Sequence, residues 1–301
     1  MQLEIIEFEN MSHPVKKIVI PVAGYGTRFL PFTKSIPKEM LPIVDKPVIQ
    51  YIVEEAVEAG IEEVVLITGY SKRAIEDYFD YNLELEYLLE KSGKMEQRAM
   101  IRKVSDMASF VYVRQKEQLG NGHAILQARD VIGKEPFAVV WGDEFFQGTP
   151  TRLQHLLSAY EANNAPVIFS MELTNESDFN RYGYIKASKE PRDGIVQIDG
   201  VVEKPGKDAA PSNFASLGGY VFTPDIFTTL ANQQPGKNGE IWLVDAINTL
   251  AQTQPIFAKV VDDITFYDCG NKLEYMKAQV AMALKRTDIG RDFKEYLESL
   301  L

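Results

Sequence analysis

The chain has one cysteine, Cys269, and three histidines among its 301 residues. A lone thiol forms no intrachain disulfide, and nothing points to an oxidising compartment. His13, His123 and His155 stand in no zinc-ligand or Cys/His nucleophile spacing, so neither a zinc centre nor a cysteine-based catalytic centre is expected. Positive charge is also scarce. The 32 Lys and Arg residues against 43 Asp and Glu leave a net charge of −11 and a pI of about 4.9. That argues against general nucleic-acid or acidic-membrane binding, which needs a basic surface, but leaves room for a local basic pocket. No apolar run approaches the roughly 20 residues that span a bilayer. Residues 1–10 lack a basic leader, so no secretory signal is expected, and residues 1–15 read as a poorly ordered N-terminal extension. The resulting expectation is a cytoplasmic protein without membrane or nucleic-acid partners.

What is present is an ordinary globular composition, 45% hydrophobic and 25% charged. In the first half, short Val/Ile/Phe-rich runs at 17–22, 63–68, 110–114 and 137–141 read as strands buried on both faces. Helical patterns lie between them. Ile49, Ile52, Val53 and Ala56 form an apolar stripe, with Pro47 near its start and Gly60 beyond its end. Residues 71–79, 82–90 and 120–128 read as further helices. This alternation predicts a doubly wound α/β sheet. Beyond residue 165 the rhythm changes, with strands at 166–172, 183–187, 194–198, 201–203, 217–223 and 256–261. Turn signals at Pro191–Gly194 and Asp199-Gly200 suggest hairpins among them. A helix through Leu243, Ala246, Ile247 and Leu250, and helices from Leu273 onward, complete the pattern. One continuous domain over 16–301 is expected, in three stretches, 16–165, 166–270 and a helical 271–301.

The segment Ile18–Pro42, IVIPVAGYGTRFLPFTKSIPKEMLP, carries most of the functional signal. A strand stops at Ala23-Gly24-Tyr25-Gly26-Thr27-Arg28, and cations follow at Lys34 and Lys38. Glycines let backbone approach a ligand, and the cations suit phosphate. The dinucleotide fingerprint fails, because Phe29 holds the place of the third glycine and Pro31 blocks an immediate helix. A Walker A loop is absent. Asp143 ends an apolar strand, where open α/β sheets place ligands, and could bind Mg2+ beside phosphates or simply form a turn. Val202-Glu203-Lys204-Pro205 pairs a carboxylate with an amine at a strand end, and Asp268 closes another β run. These could contact sugar hydroxyls, phosphate and a shared metal, or be a surface ion pair and a turn.

Together these segments resemble the bacterial UTP–glucose-1-phosphate uridylyltransferase family of sugar-phosphate nucleotidyltransferases. The resemblance rests on residues 21–28, Pro37-Lys38-Glu39-Met40-Leu41-Pro42, residues 45–51, Arg114-Gln115, Gly120-Asn121-Gly122-His123-Ala124, Tyr182-Gly183, Val202-Glu203-Lys204-Pro205 and residues 268–272. It implies a Rossmann-like nucleotidyltransferase fold: a mostly parallel mixed sheet, a small β-hairpin sugar-binding region and C-terminal helices. It also implies Mg2+-dependent transfer of UMP from UTP to glucose 1-phosphate, giving UDP-glucose and pyrophosphate, by a homodimer or homotetramer. By the same resemblance Ala23, Gly24, Gly26, Thr27, Glu39 and Gly120 would meet the nucleotide. Arg28 and Lys38 would bind the triphosphate, Gln115 would read the uracil edge and Gly122 would back the base. Asp143 and Asp268 would hold Mg2+, while Gly183, Glu203 and Gly218 would line the glucose pocket and Lys204 would grip glucose 1-phosphate.

The Lys38-Glu39-Met40 form matches the uridylyl branch, where related thymidylyltransferases show Lys-Pro-Met. Other positions depart from the family pattern. Trp141-Gly142 precede the metal aspartate where many members have Leu-Pro, and Leu119, Asn121 and Tyr25 replace a common lysine, leucine and leucine. The nearest alternatives are another nucleotidyltransferase, using dTTP or another sugar 1-phosphate, and a non-catalytic nucleotide-sugar-binding regulatory paralogue.

Overall fold

The computed structural model describes residues 14–300. Most of the expected N-terminal extension therefore lies outside the described residues, and Val15 is already fully buried.

The first half runs β1 (Lys17–Pro21), β2 (Pro42–Ile43), β3 (Lys46–Pro47), α1 (Val48–Glu58), β4 (Glu63–Thr68), α2 (Arg73–Phe79), α3 (Leu83–Lys91), α4 (Met95–Ser105), β5 (Ser109–Arg114), α5 (Asn121–Leu126), α6 (Arg129–Ile132), β6 (Phe137–Val139), β7 (Glu144–Gln147) and α7 (Arg152–Asn163). It continues through β8 (Val167–Glu172), β9 (Gly183–Lys186), β10 (Ile195–Ile198), β11 (Gly200–Glu203), β12 (Phe214–Phe222), α8 (Asp225–Asn232), α9 (Leu243–Leu250), β13 (Ile256–Val260), β14 (Thr265–Asp268), α10 (Lys272–Lys285) and α11 (Gly290–Ser299).

The main sheet has the order β10-β13-β8-β12-β6-β1-β4-β5, with β9 also on β12 and β11 on β9. Strands β6, β1, β4 and β5 are mutually parallel. Strand β12 lies antiparallel to both β6 and β8, which makes the sheet mixed. The pleat sends alternate side chains to opposite faces. Thus Ile18 and Ile20 join one apolar layer while Val19 joins the other. The chain leaves β1 toward β4 and β5 on one side and returns to β6 on the other. Ligand crevices form at such a reversal, beyond the carboxyl ends of the parallel strands.

The expected hairpins are not what forms. Arg192 and Ile195 close a tight turn, but β10 pairs antiparallel with β13, and β9 pairs with β11. Buried Val196 and Ile198 commit β10 to the core layer beneath α9. Asn248 of α9 accepts from Val201 N–H at 2.7 Å and donates to its carbonyl at 3.0 Å. Those are backbone groups that a β10–β11 hairpin would use. The sequence reading also contains no counterpart of α4, α7 or α8. For α7 the signal was available: Thr151 and Gln154 form a capping box, followed by buried Leu153, Leu156, Leu157 and Tyr160.

Helix α7 opens with Arg152, which has no exposed surface. Its guanidinium pairs with Glu55 of α1, Nη2 to Oε2 at 2.7 Å and Nε to Oε1 at 3.1 Å. It also donates to the Gly218 carbonyl. Breaking a buried pair leaves a charge without compensation, at a cost of about 3–5 kcal/mol. Glu55→Ala is therefore expected to lower stability by about that amount. The double variant Glu55→Leu, Arg152→Met should recover most of it, as read from urea-unfolding midpoints.

Candidate active site

The glycine loop follows β1. Gly26 has φ of 65°, and a Cβ there would lie 3.1 Å from Lys38 Cβ and 3.2 Å from Thr33 Cγ2. Its two glycines serve different ends, since nothing lies within 4 Å of a Cβ built at Gly24. Gly26 thus allows the loop to lie against the Lys38 stem, while Gly24 opens on free space.

Lys38 reaches Asp143, Nζ to Oδ2, at 2.5 Å. Burial alone would lower the Lys38 pKa, but Asp143 and Glu39 outweigh it and hold the value above normal. Burial likewise opposes the charge on Asp143, yet Lys38 and Arg28 hold its carboxyl below the usual range. Behind this pair, Glu39 is fully buried and bonded to buried Lys72 at 2.8 Å. Burial raises the Glu39 pKa and lowers that of Lys72. Glu39, expected at the nucleotide, has its side chain turned inward, 2.8 Å from Lys72 and 4.0 Å from Lys38. Lys72 was not anticipated from sequence, because its partner is 33 residues away.

Strands β7 and β14 pair antiparallel with Glu144 opposite Asp268. This brings the two expected metal carboxylates together around Gly270. A Cβ there would lie 2.7 Å from Asp143 Oδ2, 3.0 Å from Asp268 Oδ1 and 3.2 Å from Arg28 Nη1. Arg28 also donates to the Gly270 carbonyl at 3.2 Å. Asp268 is itself held by Arg181 at 2.6 Å and by the Tyr182 hydroxyl at 3.1 Å. Two carboxylates closing on one point suit a divalent cation that completes its shell with phosphate and water. Among the described residues there is no cluster of three His, Cys, Asp or Glu side chains able to hold a metal, so no all-protein cage is built.

A cavity of about 410 Å3 opens beside these groups, lined by Arg28, Asp143, Lys204, Gly183, Tyr220 and Asp268 among others. Lys204, at the end of β11, has φ of 47° and a half-exposed side chain 3.1 Å from Glu203. The glycines expected at the sugar are filled on their side-chain faces by protein. A Cβ at Gly183 would meet Val201 at 2.9 Å, and one at Gly218 would meet Glu144 Oε1 at 1.7 Å and Trp141 at 2.3 Å. Gly120 and Gly122 pack likewise on Ile241, and Asn121 Oδ1 accepts from Leu243 N–H at 2.9 Å, tying the loop to α9. Gln115 is buried beneath that loop, its amide nitrogen 3.1 Å from the Gly120 carbonyl. A larger hollow of about 1090 Å3, near Tyr51, Tyr78 and Arg286, is lined by none of the expected site residues.

Glu144 is the buried acid that the sequence reading passed over. Its Oε1 has no hydrogen-bond partner, and Arg152 Nη1 stands 3.9 Å away. Burial pushes its carboxyl up to about 8, against the pull of Arg152 and with Asp143 and Asp268 adding to the rise. The folded value lies above the unfolded one. The group's contribution is therefore complete below pH of about 4.5 and is lost as pH climbs toward 8, where a charge must be buried. Glu144→Gln, which cannot ionise, is expected to lose less stability than the parent chain between pH of about 5 and 9. Urea midpoints in divalent-free buffer check this.

The nucleotidyl transferase family model matches residues 17–285. The UTP–glucose-1-phosphate uridylyltransferase of Bacillus subtilis strain 168 is 48% identical over 288 residues, 95% of this chain and 97% of that protein. Its counterpart in Streptococcus pneumoniae serotype 4 is 44% identical, over 96% and 97%. Among solved structures, a UTP-bound UGPase from Acinetobacter baumannii superposes with a TM-score of 0.88 at 40% identity, over 95% of this chain and all of that one. A UDP-glucose pyrophosphorylase complexed with UDP-glucose gives 0.81 at 43%, over 90% and 100%. Nucleotidyltransferases of this kind generally use a divalent metal, which fits the carboxylate pair. On matches that cover nearly all of it, the chain belongs to the nucleotidyl transferase family and, within it, to the UTP–glucose-1-phosphate uridylyltransferases.

Proposed function

We propose that this chain transfers UMP from UTP to glucose 1-phosphate, releasing pyrophosphate and UDP-glucose. The observation that carries the chemistry is the convergence of Asp143, Asp268 and Arg28 at Gly270, beside a cavity that also holds Lys204. The attacking group is a sugar-phosphate oxygen that is already anionic, so no general base is needed. Two polyanions repel, and the protein's task is positioning and charge neutralisation. Lys204 brings in the phosphate of glucose 1-phosphate at the cavity, and Glu203 beside it accepts sugar hydroxyls. Arg28 and Lys38 stabilise charge on the triphosphate and on the departing pyrophosphate. The backbone of Ala23, Gly24 and Gly26, with Thr27 and Gly120, borders the nucleotide, and Gln115 meets the uracil edge over Gly122. Mg2+, held by Asp143 and Asp268, supplies charge neutralisation at the phosphate oxygens when bound.

No helix among the described residues is long and apolar enough to cross a membrane. The single buried cysteine supports a reducing, cytoplasmic setting. Exposed Leu273, Met276 and Tyr296 on α10 and α11 support self-association into a homodimer or homotetramer.

A pyrophosphate-release assay over several nucleoside triphosphates and sugar 1-phosphates tests the reaction. UTP with glucose 1-phosphate is expected to give the highest kcat/KM, and Asp143→Asn to lower kcat by about 100-fold or more with the unfolding midpoint preserved. Near-parental turnover in that variant removes Asp143 from the metal site. Lys204→Ala is expected to raise KM for glucose 1-phosphate about tenfold or more while UTP binding by calorimetry changes little. Equal losses on both substrates would count against the assigned role.

A further inference from the structure

We infer that His123 is a positioning residue that fixes which end of the Gln115 amide meets the nucleobase, and so sets pyrimidine selectivity. The inference rests on the proposal that Gln115 reads the base. Gln115 is buried, and its backbone N–H is pinned to the Thr68 carbonyl at 2.8 Å. The side-chain nitrogen lies 3.1 Å from the Gly120 carbonyl and 3.0 Å from His123 Nδ1. A carbonyl can only accept, so it must face the amide's N–H end. That carbonyl cannot turn away. It also accepts from Ala124 N–H in the first turn of α5 at 3.2 Å, and a Cβ on Gly120, at φ of 102°, would lie 2.5 Å from the Ile241 carbonyl oxygen. With the amide so fixed, its second N–H points at His123, and Nδ1 must accept it. The neutral ring then carries its proton on Nε2, which stands 3.2 Å from the Gln127 amide nitrogen. Two donors cannot face each other. In this structure the half-buried Gln127 amide nitrogen also donates to the His123 carbonyl at 3.1 Å, so protonation at Nε2 requires that amide to turn its oxygen to the ring and give up that bond. Gly120 thus dictates the tautomer, and the tautomer locks Gln115.

Both amide hydrogens are spent, and Oε1, which takes no hydrogen bond among the described residues, is left as an acceptor. An acceptor matches the N3–H of uracil or thymine and opposes the N3 lone pair of cytosine. With the His123 acceptor removed, one Gln115 N–H loses its partner and the Gly120 carbonyl alone holds the amide, so Oε1 is presented to the base less firmly and discrimination against cytosine weakens.

The test compares kcat/KM for UTP and CTP in the parent chain, His123→Phe, His123→Asn and Gln115→Leu. The UTP:CTP ratio is expected to fall about tenfold or more in His123→Phe, the size of one hydrogen bond left unpaired. His123→Asn, whose Oδ1 can accept the same N–H, should keep most of the ratio. A ratio that falls in Gln115→Leu but is unchanged in His123→Phe overturns the inference and leaves the reading of Gln115 standing. A ratio unchanged in Gln115→Leu overturns both. Independently of folding or activity in the variants, 15N chemical shifts of the parent chain should show His123 protonated at Nε2. Protonation at Nδ1 overturns the inference.

Discussion

A guanidinium sealed from solvent governs the shape of this molecule. Arg152 joins the start of α7 to Glu55 of α1 and to the Gly218 carbonyl, where β12 slips register between Ser216 and Tyr220. Gly219 at that bulge packs on Arg152, and Gly218 makes room for Glu144 and Trp141. Two helices, the central antiparallel strand and the acidic edge of the site are therefore keyed to one charge that water cannot reach. Buried charges tolerate little displacement, so the wall of the cavity is as fixed as the core.

The site follows the same logic of internal compensation. Its charges come as pairs: Lys38 with Asp143, Lys72 with Glu39, Arg181 with Asp268. Asp143 and Asp268 each already have a cation at hydrogen-bond distance. These pairs offset the repulsion between the two converging acids and hold both carboxylates in place, as pre-organised electrostatic catalysis requires. Acidic overall composition and a cation-lined pocket coexist because Arg28, Arg181 and Lys204 are drawn to one cavity from distant segments.

The parts legible in sequence were those encoded locally. The buried strands β1, β4 and β6, the glycine loop, and Asp143 at a strand's end each announce themselves within a few residues. Parts that depend on distant partners did not. Lys72, Arg181 and Arg152 carry no local signal of their roles, because their partners lie 33, 87 and 97 residues away. The inward turn of the Glu39 side chain to Lys72 was likewise invisible in the sequence, since the two residues meet only in the folded chain. The β10–β11 turn was visible, whereas the choice of β13 as partner was not, since that choice is made by α9 and the edge of the finished sheet.

The pairing of β7 with β14 has a consequence for how the protein matures. Asp143 and Asp268 come from segments 125 positions apart and meet only through that short two-stranded ribbon. A chain emerging from the ribosome can form the parallel strands and the glycine loop while still holding only one of the two acids. The second acid is added 125 residues after the first. A chain that stops short of Asp268 thus lacks the acid pair, however much of the parallel sheet it has formed.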